Sequence, residues 1–295
     1  MKGTFAMQFR LYTDVRQFYR DTNAVFLLHE AQNVIPLGNL LIGCRGEDKT
    51  GWRDPANWFM ATAADGAGIR LAAVMTPPHR LTLYATNNEH NDDALQCLIN
   101  GIRSNGIFVP GVMTEKALAE RFARAFTGGN YSVSCSQRIY ELLRVSPVPA
   151  AGQPRPARES DMAFLPYWIE GFHADCFGGA FTVPAQGEGA RHEIAGGKLF
   201  ILEDGGVPVS MAKITRELPS LCCVGMVYTP PYFRGRGYAT SCVAAVSQLA
   251  LDRGFARCVL YTDLANPTSN SIYQKIGYRP LTDSLEISFE EGEKA

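Results

Sequence analysis

Leu221-Cys222-Cys223-Val224-Gly225-Met226-Val227-Tyr228 leads through Thr229-Pro230-Pro231-Tyr232-Phe233 into Arg234-Gly235-Arg236-Gly237-Tyr238-Ala239. The first eight residues are almost unbroken apolar, the pattern of a strand buried on both faces near the middle of a sheet. Pro230 and Pro231 end that strand, because neither can donate to a ladder. Over 237–253, Val243, Val246, Leu249 and Ala250 recur at helical spacing, and Gly254 is the stop. A glycine-rich turn therefore joins a central strand to a helix. Gly235 and Gly237 let backbone N–H groups converge without Cβ obstruction. The helix N-terminus adds orphan donors and the positive end of its dipole, and Arg234 and Arg236 add charge. The result is a cradle suited to a pyrophosphate. A dinucleotide fingerprint would need glycine at 240, where Thr240 stands, and a P-loop would need Gly-Lys-Ser/Thr. Neither fits.

Outward from this turn, the C-terminal half reads as a mixed α/β domain. Asp204-Gly205-Gly206 between the apolar stretches 199–203 and 207–214 predicts a hairpin. Asp161 is placed to cap a helix carrying Leu165, Trp168 and Phe172, with Pro166 in its first turn. The glycine-rich stretch 178–197 is expected to be irregular, with a short helix near Ala190. Residues 258–262 form a strand, Asn266-Pro267 opens a last helix closed by Gly277, and Leu285, Ile287 and Phe289 alternate in a final strand. On that last helix Asn266, Asn270 and Tyr273 share one face, and Ile272 and Ile276 take another.

The 295 residues suffice for two domains of ordinary size. The apolar share of 46% and charged share of 19% are those of a packed globular chain. The boundary falls where Pro147, Pro149, Pro154 and Pro156 crowd together. The expected layout is a first domain over 1–145, a proline-rich linker over 146–157 and a second domain over 158–295. With 28 Lys+Arg against 29 Asp+Glu, the net charge of −1 supplies no general attraction to nucleic acid. No apolar run approaches the roughly 20 residues of a membrane span. The N-terminus lacks an apolar segment followed by a cleavage site, so a cytoplasmic location is expected. Eight cysteines without Cys-x-x-Cys pairs read as small buried hydrophobes, and neither a metal site nor a disulfide framework is expected.

The N-terminal half offers similar material: a helix from Asp14, strands around 58–61, 70–75 and 81–84, and a helix over 114–126. Val74-Met75-Thr76-Pro77-Pro78 matches Val227-Tyr228-Thr229-Pro230-Pro231. That match suggests duplication. His79-Arg80-Leu81 follows it with no glycine-rich turn, so one cofactor per chain is expected, held by the C-terminal half.

Arg-x-x-Gly-x-Ala at 234–239, preceded by Val227-Tyr228-Thr229-Pro230-Pro231, resembles the acyl-CoA-binding motif of the GNAT superfamily of N-acyltransferases. The stretch from Tyr261-Thr262-Asp263-Leu264-Ala265-Asn266 through Asn270-Ser271-Ile272-Tyr273 to Gly277-Tyr278 is similar to that superfamily's second cofactor segment. The resemblance covers 155–290. The first half is similar to the degenerate GNAT-like half of two-domain members. What the resemblance implies is an α/β fold of tandem GNAT-like domains, each a central, mostly antiparallel sheet flanked by helices. It further implies acetyl-CoA as cosubstrate, without metal, and transfer of the acetyl group to a primary amine by direct attack. Acetyl-CoA would be held by Val227, Tyr228, Thr229, Arg234, Gly235, Arg236, Gly237, Tyr238, Ala239, Thr240, Asn266, Ser269 and Asn270. Tyr273 would be the general acid. The base is open: Glu203 is the first candidate, followed by His173 and Glu217, with a water relay as an alternative. His192 is a further neighbour of the expected acceptor pocket, whose walls draw on Trp168, Phe172 and Phe181. The expected acceptor is a small-molecule or peptide amine, and the protein a monomer or homodimer. Transfer of a longer acyl chain to an amino acid, and a non-catalytic acyl-CoA sensor, are the competing readings.

Overall fold

The computed structural model describes residues 6–46, 51–87, 91–178 and 183–289. The chain forms two compact units, one of residues 1–139, 263–265 and 282–295, the other of 140–262 and 266–281.

The first unit runs β1 (Gln8–Tyr12), α1 (Val15–Leu27), α2 (Val34–Arg45), β2 (Phe59–Asp65), β3 (Gly68–Met75), β4 (Leu81–Ala85), α3 (Asp92–Ser104), β5 (Gly111–Glu115), α4 (Lys116–Thr127) and most of β6 (Tyr131–Leu142). The second runs β7 (Gln153–Pro156), α5 (Leu165–Phe177), α6 (Val183–Gly196), β8 (Leu199–Asp204), β9 (Val207–Glu217), β10 (Leu221–Tyr228), α7 (Tyr238–Asp252), β11 (Arg257–Asp263), α8 (Pro267–Ile276) and the start of β12 (Arg279–Phe289). The two series are the same, β-α-α-β-β-β-α-β-α-β. Their pairings match as well. β1 to β4 are successive antiparallel neighbours and β4 runs parallel to β5. β7 to β10 repeat that meander and β10 runs parallel to β11. The fold is a mixed α/β tandem.

This shared order corrects the Thr-Pro-Pro alignment. Thr76-Pro77-Pro78 lies between the third and fourth strands of its unit, whereas Thr229-Pro230-Pro231 lies between the fourth strand and the helix after it. By element order, the counterpart of the glycine-rich turn is the stretch from Thr86 to Asn91, between β4 and α3. It reads Thr-Asn-Asn-Glu-His-Asn without a glycine, and residues 88–90 lie outside the described part. The absence of a glycine-rich turn from the first unit holds, for a reason one strand displaced.

Local signals account for most elements. Asp14 caps α1 by accepting from the Arg16 and Gln17 amides, and Asn266 caps α8 by accepting from the Ser269 amide at 3.0 Å. In the second unit, strand alternation sends Phe200 and Leu202 to the core beneath α7 and α8, while Leu199 and Ile201 face α5 and α6. Val243, Val246 and Ala250 of α7 are fully buried, as their spacing predicts. In the first unit Leu98, Ile99 and Ile102 of α3 and Phe122 of α4 cover β2 to β5.

Three features depart from expectation. Within the predicted linker, Gln153–Pro156 is a strand, paired residue for residue with β8 from Glu203 to Phe200. Its prolines are tolerated because β7 is an edge strand with one neighbour, so a missing N–H breaks no second ladder. The C-terminal stretch from 282 belongs to the first unit, where Ser284 to Ser288 pair with β5 and Leu285 and Ile287 enter its core. Residues 183–196, expected to hold only a short helix near Ala190 in an irregular stretch, form the longer helix α6, which buries Ala190.

Candidate active site

The site begins with a defect in β10. Its ladder with β9 shifts register between Cys223 and Val224 and again between Gly225 and Tyr228. Met226 sits at φ +53°, in the left-handed region that a non-glycine residue enters at a cost. This is a β-bulge, and bulges bend the strand that carries them. On its other side β10 pairs with β11 only where Leu221, Cys222 and Cys223 face Arg257, Cys258 and Val259. Both strands run on beyond those pairs, β10 to Tyr228 and β11 to Asp263. The end of β10 therefore presents backbone groups to an open seam and not to a ladder.

The turn that follows completes the cradle. Arg234 is extended, and Gly235 and Gly237 have φ of +78° and +83°, a backbone path that any Cβ would strain. Gly237 is the N-cap of α7 and offers no side chain to its amides. The first amides of α7 thus remain donors for a ligand, at the positive end of the helix.

A cavity of about 510 Å³ gathers these parts. Val227, Tyr228, Thr229, Arg234, Gly235, Gly237, Tyr238, Ala239, Thr240, Asn266, Ser269 and Tyr273 all line it. Two residues expected to hold the cosubstrate do not. Arg236 is absent from the lining. Asn270 is turned to other partners, its Oδ1 accepting from the Tyr140 hydroxyl at 3.0 Å and its Nδ2 donating to the Asn266 carbonyl at 2.7 Å. Ile272, expected on another helix face, lines the cavity beside Tyr273.

Phe172, Asp175 and Cys176, spaced i, i+3, i+4 on α5, form a further wall, and Phe233, Thr268 and Lys275 complete the lining. Tyr228 reaches α5 at Gly171, where an added Cβ would stand 2.3 Å from its hydroxyl. Its ring also meets Trp168, with centroids 6.3 Å apart. Buried Ser210 of β9 fixes the end of β10: its hydroxyl donates to the Tyr228 carbonyl at 3.1 Å and lies 2.8 Å from the Thr229 hydroxyl. Arg234 donates from Nε to the Thr229 carbonyl at 2.9 Å and from Nη2 to Asp175 at 2.5 Å.

Tyr273 is buried, and that burial pushes its phenol above the ordinary value of 10. It stays protonated at neutral pH. Burial also raises Tyr228, and Asp175 adds to this against the pull of Arg234.

The base candidates separate. Glu203 is not brought to the cavity: at the end of β8 it accepts from Arg155 at 2.7 Å, and Arg155 holds buried Asp161 through both terminal nitrogens at 2.7 Å. It belongs to a charge cluster that fastens β7. Asp161 belongs to the same cluster and caps a short 3-10 turn before α5, accepting from the Arg158 amide at 2.8 Å, so it does not cap the helix expected of it. Glu217 pairs with Lys198 at 2.5 Å. His173 lies on α5 next to Phe172; burial, opposed by the charge of Glu170, lowers its imidazole and keeps it neutral. Phe181 lies outside the described residues. Gly225 in mid-strand is the sequence signal for the bulge, whereas Gly171 and Asp175 carry none. Among the described residues no His, Cys, Asp and Glu group has the arrangement of a metal site.

A seam in a parallel strand pair thus opens beside a glycine-bounded helix N-terminus that has no side-chain cap, and both line one cavity. Residues 167–278 match the family model "Acetyltransferase (GNAT) family", so this stretch carries a GNAT acetyltransferase domain, an acyltransferase class. The whole chain has the corresponding tandem fold. It is similar to a GNAT-family acetyltransferase from Colwellia psychrerythraea, with TM-score 0.60, 12% identity and coverage of 96% of this chain and 100% of that one. A GCN5-related N-acetyltransferase from Sphaerobacter thermophilus aligns with TM-score 0.61 and 14% identity over 95% and 94% of the two chains. A tandem GNAT protein from the clavulanic acid biosynthesis pathway aligns with TM-score 0.56 and 12% identity over 98% and 100%. At these identities the likeness is one of fold. No curated protein sequence matches the chain.

Proposed function

We propose that the protein is an acetyl-CoA-dependent N-acetyltransferase acting on a primary amine, with one cosubstrate site per chain, in the second unit. The observation that carries this reading is that the open end of β10, the uncapped start of α7 and Tyr273 all line one cavity. The residues fit the cosubstrate. Gly235 and Gly237 leave the turn free of Cβ atoms, with nothing within 4 Å of where either would stand. Amides of Tyr238, Ala239 and Thr240 face a diphosphate with the helix dipole behind them. Val227, Tyr228 and Thr229 offer backbone groups to an extended chain, as a strand edge does.

When bound, the cosubstrate supplies an activated acetyl thioester. An amide at the end of β10 serves as the donor that polarises the acyl carbonyl. Tyr273 donates a hydrogen bond from Oη to the leaving sulfur. Because its phenol sits above 10 and a thiol near 8.5, it acts as a positioned donor that stabilises developing charge, and full proton release from it is uphill. Water takes the proton that the acceptor ammonium must lose, and His173, on α5 outside the cavity lining, would act only through such a relay.

The test is thiol release by the purified protein from acetyl-CoA across a panel of amines, with longer acyl-CoAs in parallel. Release dependent on an amine, and reduced in Tyr273→Phe, is expected. Tight CoA binding without turnover on any amine would make the protein a sensor, and preference for long acyl chains would change the donor.

A further inference from the structure

Asp175 is poorly placed for the helix that carries it. It lies in the last turn of α5, which has no basic residue there, and a carboxylate at a helix C-terminus meets the negative end of the dipole. It is also the one carboxylate among the described residues lining the cavity. Its partner is Arg234, at 2.5 Å, and both side chains are about half exposed. Arg234 in turn is held by the Thr229 carbonyl at the mouth of the phosphate turn and lies over the Tyr228 ring, 5.8 Å from its centroid. One guanidinium thus stands between the cradle and the wall formed by Phe172, Asp175 and Cys176.

We propose that Asp175 changes partner in the reaction cycle: it holds Arg234 as seen here, and it passes to the ammonium group of the acceptor once the cosubstrate's phosphates claim Arg234. This rests on the acyl-CoA reading above and adds to it a docking group for the acceptor ammonium and a coupling between the two substrates. The ion pair is exposed enough to exchange, since pairs of this kind contribute little to stability. The carboxylate released is the docking group for a cation among Phe172, Tyr228 and Phe233, aromatic neighbours that also favour one. Asp175 is here a positioning residue.

Calorimetric titration with CoA of the wild type, Asp175→Asn, Arg234→Gln and the double variant, followed by titration of phenethylamine with and without saturating CoA, tests this. Asp175→Asn should bind CoA about two- to fivefold more tightly than wild type, because Arg234 no longer has to leave a partner. The gain should vanish in the Arg234→Gln background. Phenethylamine should bind the wild type several-fold more tightly when CoA is present, and this enhancement should be lost in Asp175→Asn. Unchanged or weaker CoA binding by Asp175→Asn overturns the exchange. So does an equal gain in the Arg234→Gln background, which would mean simple repulsion between Asp175 and phosphate, and so does phenethylamine binding that is indifferent to CoA. A wild type that binds no CoA removes the acyl-CoA reading itself, whereas equal CoA binding by wild type and Asp175→Asn removes only the exchange.

Discussion

Gly171→Ala tests whether the wall between α5 and β10 is as close as described. In mid-helix this substitution is ordinarily stabilising by about 1 kcal/mol, since alanine is the better helix former. Here the new Cβ would stand 2.3 Å from the Tyr228 hydroxyl and 2.6 Å from the ring carbon that bears it. The ring would have to retreat by about 1 Å to reach ordinary contact, and Trp168 and Arg234 flank it. Overpacking of this kind costs about 1–3 kcal/mol. Gly171→Ala should therefore be neutral to destabilising by about 2 kcal/mol in the wild type, yet stabilising by about 1 kcal/mol in a Tyr228→Ala background. Urea unfolding of the four proteins measures that coupling. Stabilisation in both backgrounds, with a coupling below about 0.5 kcal/mol, would mean that the tyrosine does not lie against α5.

Other expectations concern the turn, the phenol and the charge cluster. Gly237→Val places a β-branched residue at φ +83° and should cost about 1–2 kcal/mol of stability while weakening CoA binding at least about tenfold, read by unfolding and by titration. Tyr273 and Tyr278 are both buried and raised above 10; the stability this represents is complete below pH 10 and is lost as pH rises beyond it, because the unfolded chain ionises first. Alkaline melting curves should show that loss, and it should be smaller in Tyr273→Phe. Asp161 behaves oppositely: burial works against its charge, but the Arg155 fork and the Arg158 amide outweigh this and hold it below 3.8. Its contribution is present above pH 3.8 and fades as pH falls through the lowered value. Asp161→Asn should cost about 2–4 kcal/mol and flatten the acid limb of a stability–pH curve.

How much of this was legible in the sequence depended on how local the cause was. The cap at Asn266, the hairpin at Asp204-Gly205-Gly206, the apolar stripe of α7 and the glycine-rich turn before it are written in consecutive residues, and the structure has them. The bulge at Met226 has only Gly225 as its trace, because a register shift is decided by the partner strand. The Thr-Pro-Pro match misled because two prolines end a strand wherever they fall and do not say which strand. Glu203 stood as the first candidate for the base until Arg155, 48 positions away, was brought beside it by strand pairing. Gly171 and Asp175 look ordinary in sequence, and their meaning comes from Tyr228 and Arg234, which only the packing of α5 against β10 brings near.

The most direct test of the central claim is a calorimetric titration of the intact chain with CoA. One site per chain is predicted, with affinity in the micromolar to submillimolar range usual for enzyme substrates, and Gly237→Val should weaken it at least about tenfold. No heat of binding, two sites per chain, or binding indifferent to Gly237→Val would contradict the account.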